Sequence, residues 1–310
     1  MAQPYDPPAG QEGSKAIHMD SPLFKGWAID CVVQRGPGII THPDSIKVTY
    51  GSAADATGKA GEGKVVSLGD GGIATLFFES PIVNGPGPDI AVFENSLNDT
   101  FLELAFVEIS SDTKNFVRFD AVSLTPIENQ VSTFGSIDAR NLNNLAGKYK
   151  GGYGTPFDLD ELAGQPGIDI YNILCVRIID VIGTVIDSLA SRDSRDMIIN
   201  DPWPTPFESC GFDLDAVGVI NNQTIVSDES TFQEDIEMYP NPVNSTLRIS
   251  IPGSFENIVF VFNIHGRMIR SEKFTISEIY LQMESFEQGL FIIRVIDDKG
   301  FSHQKIIQKI

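Results

Sequence analysis

The chain has 310 residues, of which 42% are hydrophobic, and a formal net charge of −20. This length allows two folded domains with separate cores, and the composition argues against a largely disordered chain. Residues 1–237 hold 35 Asp/Glu and 14 Lys/Arg, whereas residues 238–310 hold 7 and 8. Because phosphate binding depends on Lys and Arg, the acidic first part argues against nucleic acid and anionic membranes as partners. The sequence has no run of 18 apolar residues, so we expect no membrane span.

Short runs of β-branched and aromatic residues recur through the first part between clusters of Gly, Pro, Asn and Asp. They are KVVSL (64–68), IATLFF (73–78), DIAVFE (89–94), LELAFVEI (102–109), NFVRF (115–119), ILCVRIID (173–180) and DLDAVGVI (213–220). This pattern predicts an all-β fold, namely a large antiparallel, jelly-roll-like β-sandwich with long loops. LELAFVEI is apolar on both faces, which predicts a central strand that is covered on both sides.

Two long segments between these runs, 120–170 and 183–210, contain few strand signals. They carry Tyr153, Phe157 and Trp203, each flanked by Gly or Pro. Rigid, exposed rings on loops can stack on a sugar or on a flat cofactor ring, so these three residues form a candidate ligand platform. The alternative is that the rings cover the edge of the core.

Paired carboxylates are the most suggestive chemistry of the first part. In Phe212-Asp213-Leu214-Asp215 a strand period of two places both carboxylates on one face. The same four-residue pattern, Phe-Asp-Leu-Asp, recurs at residues 157–160. Like charges so close together repel each other, and a bound Ca²⁺ would relieve the repulsion. The candidate calcium ligands are Asp89, Glu94, Asp158, Asp160, Asp213 and Asp215. The alternative is that these carboxylates accept backbone N–H bonds or face water.

The signatures of common enzymes are absent from the sequence. Neither HExxH nor GxSxG occurs, and the four histidines are scattered. A hydrolase that uses an Asp/Glu pair stays open, because such a site requires only a set distance between two carboxylates. The three cysteines, Cys31, Cys175 and Cys210, allow either one disulfide and a free thiol or three buried thiols.

The composition changes near residue 223. The segment 223–237 is polar and acidic, as is typical of a linker. It is followed by the strand-like runs TLRISI, NIVFVFN, GRMIRSEKF, EIYLQM, LFIIRVID and SHQKIIQKI, which predict a small Ig-like sandwich over 238–310. We therefore expect a first domain over 1–222, a linker over 223–237 and a second domain over 238–310.

The second domain resembles the type A C-terminal sorting domain of the type 9 secretion system of Bacteroidetes. The resemblance rests on four motifs: Tyr239-Pro240-Asn241-Pro242, Gly266-Arg267, the strand that begins at Gly289, and a terminal segment with Lys305 and Lys309. It implies that the translocon and its shuttle and sortase components are partners. It also implies that the protein is secreted or displayed on the outer-membrane surface, and that Met1 stands in place of a removed signal peptide.

The first domain resembles uncharacterised cell-surface β-sandwich proteins of the same bacteria. The similarity lies in VSLGDGG, GPDIAVFEN, FLELAFVEISSD and GFDLDAVGV. This resemblance implies no reaction. We therefore expect a non-enzymatic module that binds a glycan or another nutrient such as a corrinoid, with a structural Ca²⁺. The alternatives are a polysaccharide-acting hydrolase and a purely structural or adhesive surface protein.

Overall fold

The computed structural model describes residues 5–223, 236–251, 257–263, 268–296 and 302–310. The chain divides into two compact units, Met1–Asn222 and Gln223–Ile310, which are called the first and the second unit below. Both consist of antiparallel β-sheets, and the helical segments of the described residues are short 3₁₀ turns. The prediction of an all-β sandwich is therefore confirmed.

The described residues of the first unit form thirteen strands of 2 to 10 residues. They are β1 (Ile17–His18), β2 (Gly26–Trp27), β3 (Asp30–Gln34), β4 (Val66–Ser67), β5 (Ile73–Ile82), β6 (Ile90–Glu94), β7 (Ala105–Ser110), β8 (Val117–Arg118), β9 (Val122–Ser123), β10 (Leu142–Asn143), β11 (Tyr153–Phe157), β12 (Ile173–Asp180) and β13 (Asp213–Val219). The 3₁₀ helices are Ala53–Ala56, Ala139–Asn141 and Leu159–Leu162.

Two sheets of the first unit enclose its core. In the described residues the front sheet has the order β1-β11-β6-β13-β2, with β4 also paired to β13, and the back sheet has the order β3-β5-β12-β7-β8. Apolar side chains from both sheets, such as Val92, Val107, Val176 and Leu214, belong to one buried cluster. All six residues of β7 are buried, and the strand pairs on both sides, as predicted for LELAFVEI.

The predicted strand 173–180 matches β12, whereas β11 lies in a segment that the sequence predicts to be a loop. Gly154 and Pro156 interrupt the apolar pattern of β11 and conceal its strand character. Long-range pairing nevertheless holds it between β1 and β6. Tertiary contacts therefore override the local signal here.

The second unit is a smaller sandwich. Its strands are β14 (Glu237–Tyr239), β15 (Thr246–Ser250), β16 (Asn257–Asn263), β17 (Met268–Phe274), β18 (Glu278–Gln282), β19 (Gly289–Ile296) and β20 (Ser302–Lys309). In the described residues they form sheets of order β14-β15-β18 and β17-β16-β19-β20. Inward-facing residues such as Leu247, Val261 and Ile293 form the core.

The three cysteines are buried and free, so the structure favours three thiols over a disulfide. Burial raises the pKa of the Cys31, Cys175 and Cys210 thiols to about 12. Thiols of this kind stay protonated and inert at neutral pH. As for membranes, the part of the chain that the structure describes contains no helix with the length and apolar character needed to cross one.

Candidate functional site

Six acidic side chains gather at one end of the first unit and form what we call the carboxylate cluster. They are Asp70, Glu94, Glu103, Asp180, Asp201 and Asp213. Antiparallel pairing explains the gathering within each sheet, because it brings the end of one strand beside the start of its neighbour. Thus Glu94 at the end of β6 lies beside the start of β13 in the front sheet. In the back sheet Asp180, at the end of β12, is paired with Ala105 at the start of β7.

Main-chain N–H groups hold several of these carboxylates. Asp180 accepts hydrogen bonds from the nitrogens of Phe212 at 2.6 Å and Gly71 at 2.9 Å. Asp201 accepts one from the nitrogen of Leu104 at 3.0 Å. Gly211 permits the first contact, since its φ is +72° and a Cβ there would lie 2.7 Å from Asp180 Oδ1. The cluster therefore ties the ends of both sheets together.

Burial and mutual repulsion raise the pKa values of the deepest members. The pKa of Glu94 lies well above its usual range because of burial and then the charges of Glu103 and Asp213. Burial also raises the pKa of Glu103, with further contributions from Asp213 and Asp180. Glu94 is 1% exposed, and its Oε1 atom has no hydrogen-bond partner, whereas Oε2 accepts from the nitrogen of Ser96 at 2.8 Å.

Asp213 and Asp215 take different partners although they are two residues apart. Asp213 accepts a hydrogen bond from Ser67 Oγ, and Asp215 accepts one from the nitrogen of Gly61 at 2.9 Å. Burial raises the pKa of each to about 6. Their apolar neighbours Phe212 and Leu214 pack in the core, as the strand period predicts.

The six predicted calcium ligands do not form one site. Asp89 directly precedes β6 and Glu94 ends it, so about 16 Å of extended strand separates them. Ca²⁺ binds oxygens at about 2.3–2.6 Å, so one ion cannot reach both. Asp89 is engaged elsewhere, since it accepts hydrogen bonds from Leu159 N, Gly85 N and Asn221 Nδ2, each at 2.8 Å.

Asp160 lies on a 3₁₀ turn, Leu159–Leu162, and Asp158 directly precedes it, so the strand period predicted there is wrong. Asp158 caps this turn by accepting from the nitrogen of Asp160 at 3.0 Å, and Asp160 accepts from Asn84 Nδ2 at 2.6 Å. Across the described ranges, no group of three or more His, Cys, Asp or Glu side chains is placed to hold a metal ion. Calcium binding stays a prediction.

The predicted aromatic platform is dispersed. Phe157 ends β11, is 1% exposed and packs 5.1 Å from the ring of Phe119, so the expectation of an exposed ring on a loop is wrong for it. Tyr153 begins the same strand and is half-buried beside His18. Trp203 does lie on a loop, where its Nε1 donates to Asp70 of the cluster at 3.2 Å. Ligand binding by these residues stays a prediction.

A different group of aromatic side chains, two exposed and one half-buried, lies at the surface, and we call it the phenylalanine row. It consists of Phe101, Phe134 and Phe207. The rings of Phe101 and Phe134 lie 6.1 Å apart, and those of Phe134 and Phe207 lie 5.8 Å apart with an angle of 29° between their planes. Phe134 is 74% exposed and Phe207 is 43% exposed. No sequence motif marks this group, because its members come from three separate loops.

Hydrogen bonds join the three loops that carry the row. Ile137 N donates to Thr100 O at 2.8 Å, and Trp203 N donates to Val131 O at 3.0 Å. Thr133 Oγ1 donates to Pro204 O at 2.7 Å. The loops also adjoin the carboxylate cluster, since Glu103 follows Phe101 by two residues. The row is therefore held at the cluster end of the sandwich.

The predicted sorting residues lie in the second unit. Tyr239 ends β14, where the guanidinium carbon of Arg248 is 4.9 Å from its ring centre. Pro240 and Pro242 flank Asn241, whose side chain binds β20: Nδ2 donates to Ile306 O at 3.0 Å and Oδ1 accepts from Gln308 N at 2.8 Å.

Three further sorting residues lie on the last two strands. Gly289 begins β19 and pairs with Lys309 of β20, while Lys305 pairs with Ile293. Gly266 and Arg267 fall outside the described residues.

Comparison with known proteins gives a match for the second unit. Residues 237–309 match the family model described as the secretion system C-terminal sorting domain. No curated protein matches the chain.

Among solved structures, similarity is weak. PorZ, a surface component of the type-IX secretion system of Porphyromonas gingivalis, is 14% identical over 31% of this chain and 14% of its own, with a TM-score of 0.23. The β-glucuronidase of Ruminococcus gnavus is 10% identical over 100% of this chain and 47% of its own, with a TM-score of 0.20. The β-glucuronidase of Parabacteroides merdae is 10% identical over 99% of this chain and 36% of its own, with a TM-score of 0.21. The chain thus spans less than half of each of these proteins.

These TM-scores are too low to support an argument about fold or activity, so only the family match bears on function. The sorting domain at 237–309 supports a role as cargo of type 9 secretion, and it implies interaction with that machinery. It indicates that the protein is secreted or exported to the cell surface.

Proposed function

We propose that the protein is an exported or surface-displayed cargo whose first unit binds a nutrient ligand, a glycan or another such as a corrinoid, without turning it over. The second unit directs passage across the outer membrane. The match of residues 237–309 to the sorting-domain family supports the export part of this proposal.

One observation favours binding over hydrolysis. The acids of the first unit that have strongly raised pKa values are turned inward: Glu94, Glu103, Asp180 and Asp201 are each no more than 9% exposed. A glycosidase must place both carboxyl groups against the scissile bond of its substrate. Acids this deeply buried cannot reach a polysaccharide, so these four are not placed for its hydrolysis.

Export is tested by comparing the full-length protein with a version that lacks residues 238–310, both preceded by the same cleavable signal peptide and expressed in a bacterium that has type 9 secretion. We expect the full chain in the medium or on intact cells, and the truncated chain inside the cell envelope. Recovery of the truncated chain outside the cell in normal amounts would contradict the export role.

Binding is tested by titrating the full chain with oligosaccharides and with a corrinoid, followed by chromatography of the ligand after incubation. We expect binding and an unchanged ligand. Release of shorter sugars that is abolished by Asp213→Asn or Asp158→Asn would instead establish the hydrolase. Absence of binding to every ligand would favour a structural or adhesive surface protein.

A further inference from the structure

We propose that the phenylalanine row is the ligand-binding surface of the first unit and that its ligand is an extended, uncharged glycan. This inference rests on the proposed binding function and names its site and ligand class. Phe101, Phe134 and Phe207 carry it.

Exposure and rigidity distinguish the row from ordinary surface residues. Single exposed apolar side chains are normal, but three adjoining phenylalanine rings in contact are not explained by packing, because Phe134 is 74% exposed. The hydrogen bonds between the three loops hold the backbone that carries the rings, and a surface whose backbone is already ordered loses less entropy on binding.

The chemistry of the rings selects the face of a sugar. Phenylalanine has no hydroxyl or N–H group, so the row offers only π-faces and ring edges. The face of an aromatic ring carries partial negative charge. The C–H bonds on one face of a pyranose carry partial positive charge and therefore pack well against such rings.

Local and overall charge select an uncharged sugar. The first unit holds 30 Asp/Glu and 14 Lys/Arg, so it repels uronic acids and sulfated glycans. Lys150, which is close to the loop of Phe101, is already paired with Asp99 Oδ2 at 3.1 Å. The same acidic character disfavours an anionic lipid surface.

The size of the row argues for an extended ligand rather than a protein or a compact nutrient. A stable protein interface buries about 800 Å² on each partner. Three phenylalanine side chains bury about 150–250 Å² each even when they are fully covered, so the row supplies less than that area.

Compact small molecules generally occupy pockets of about 300–1,000 Å³. The first unit has a cavity of about 190 Å³ lined by Lys25, Trp27 and Phe78 among others, which is smaller than this range and contains no member of the row. An open row of rings suits a chain of sugars that lies along the surface.

The test is isothermal titration of the full chain with uncharged hexasaccharides of α- and β-linked glucose, mannose and xylose, with a uronic-acid hexasaccharide and a corrinoid in parallel. The variant is Phe134→Ser combined with Phe207→Ser. Both side chains are exposed, so the variant should fold, which its tryptophan fluorescence melting curve checks.

The matched control is Tyr171→Ser. Tyr171 is 60% exposed and lies just before the start of β12, while the carboxylate cluster and the row lie at the other end of that strand. The substitution therefore removes an exposed aromatic ring of the same unit that is separated from the row by the length of β12, about 24 Å.

We expect the unaltered protein and the Tyr171 variant to bind one uncharged glycan with equal affinity. The double variant should bind it at least about tenfold more weakly, because the removal of stacked aromatic rings typically lowers affinity by this much. Equal binding by all three proteins overturns the assignment of the row and leaves the binding function intact. Binding of the corrinoid or the uronic-acid sugar alone overturns the ligand class. If the unaltered protein is a dimer and the double variant is a monomer, the row serves self-association and the proposal is overturned. No binding of any ligand overturns both proposals.

Discussion

The two units differ in how their acidic side chains and ion pairs are buried. The first unit buries acids at one end of its sheets and also buries the ion pair of Lys148 with Asp6, in which Nζ and Oδ1 lie 2.9 Å apart. The described ion pairs of the second unit, Arg248 with Glu278 and Arg270 with Glu272, are partly exposed. Buried charge is costly unless it is paired or neutralised, so pH and point changes should affect mainly the first unit. Both tryptophans, Trp27 and Trp203, belong to the first unit, and their fluorescence therefore follows its unfolding alone.

The largest effect is expected from Lys148→Met. Lys148 is 3% exposed, and its Nζ also donates to Leu142 O at 2.9 Å. The substitution leaves the Asp6 carboxylate, which Tyr149 also contacts, without its cation. Breaking a buried pair in this way typically costs about 3–5 kcal/mol. Urea unfolding followed by tryptophan fluorescence measures the loss.

The matched control for this variant is Lys150→Met, two residues away. Lys150 and Asp99 are each more than a third exposed, so we expect a loss of at most about 1 kcal/mol. Equal losses in the two variants would show that burial of the charge is not what matters.

The next effect is a dependence of stability on pH. The pKa values of Glu94, Glu103, Asp180, Asp201 and Asp213 are raised in the folded chain, chiefly by burial. Folded protein thus holds these protons more tightly than unfolded protein does. The stability they contribute is complete below about pH 4 and is lost as the pH rises through the folded values.

Asp213, with a pKa of about 6, accounts for a loss of about 3 kcal/mol at most between these limits. We expect the tryptophan-monitored melting temperature to fall between about pH 5 and about pH 8. Glu103→Gln should flatten the curve, because it removes one buried charge, whereas Glu278→Gln in the second unit should not. A melting temperature that rises over this interval would contradict the account of the cluster.

Calcium provides a third comparison of the units. A structural Ca²⁺ in the first unit would raise its stability by about 2.7 kcal/mol at a concentration one hundred times the dissociation constant. Tryptophan-monitored melting in excess Ca²⁺ and in chelator measures this, with Mg²⁺ as the control ion. If the melting temperatures agree, the calcium prediction fails.

The smallest effect is expected from Arg248→Met in the second unit. Its partner Glu278 lies at the surface, where water and salt screen the pair. We expect the far-UV circular dichroism melting curve to be nearly unchanged. A marked loss would mean that the second unit also depends on a specific charge, and the contrast between the units would disappear.

Local sequence pattern predicts the long strands of this protein but not its sites. The apolar run 173–180 coincides with β12. In the sequence alone, Asp180 at the end of this run resembles an ordinary surface acid, because its burial depends on β7 and on the loop of Asp201, which are distant in sequence. The phenylalanine row is invisible for the same reason, since its rings come from loops far apart in sequence. The period of two in Phe212-Asp213-Leu214-Asp215 predicts Asp213 as a calcium ligand, with Glu94 as a further candidate. Their positions at strand ends, Asp213 starting β13 and Glu94 ending β6, bring them to the cluster.

The contact of Asn241 with β20 has a consequence for the order of events during synthesis. Its side chain joins residues 65 and 67 positions further along the chain. A polypeptide that ends before Gln308 cannot form both of these hydrogen bonds, even if the rest of the unit has folded. We therefore expect the export machinery to recognise a complete second unit only on chains that have been translated at least as far as Gln308. Shorter products should not be exported.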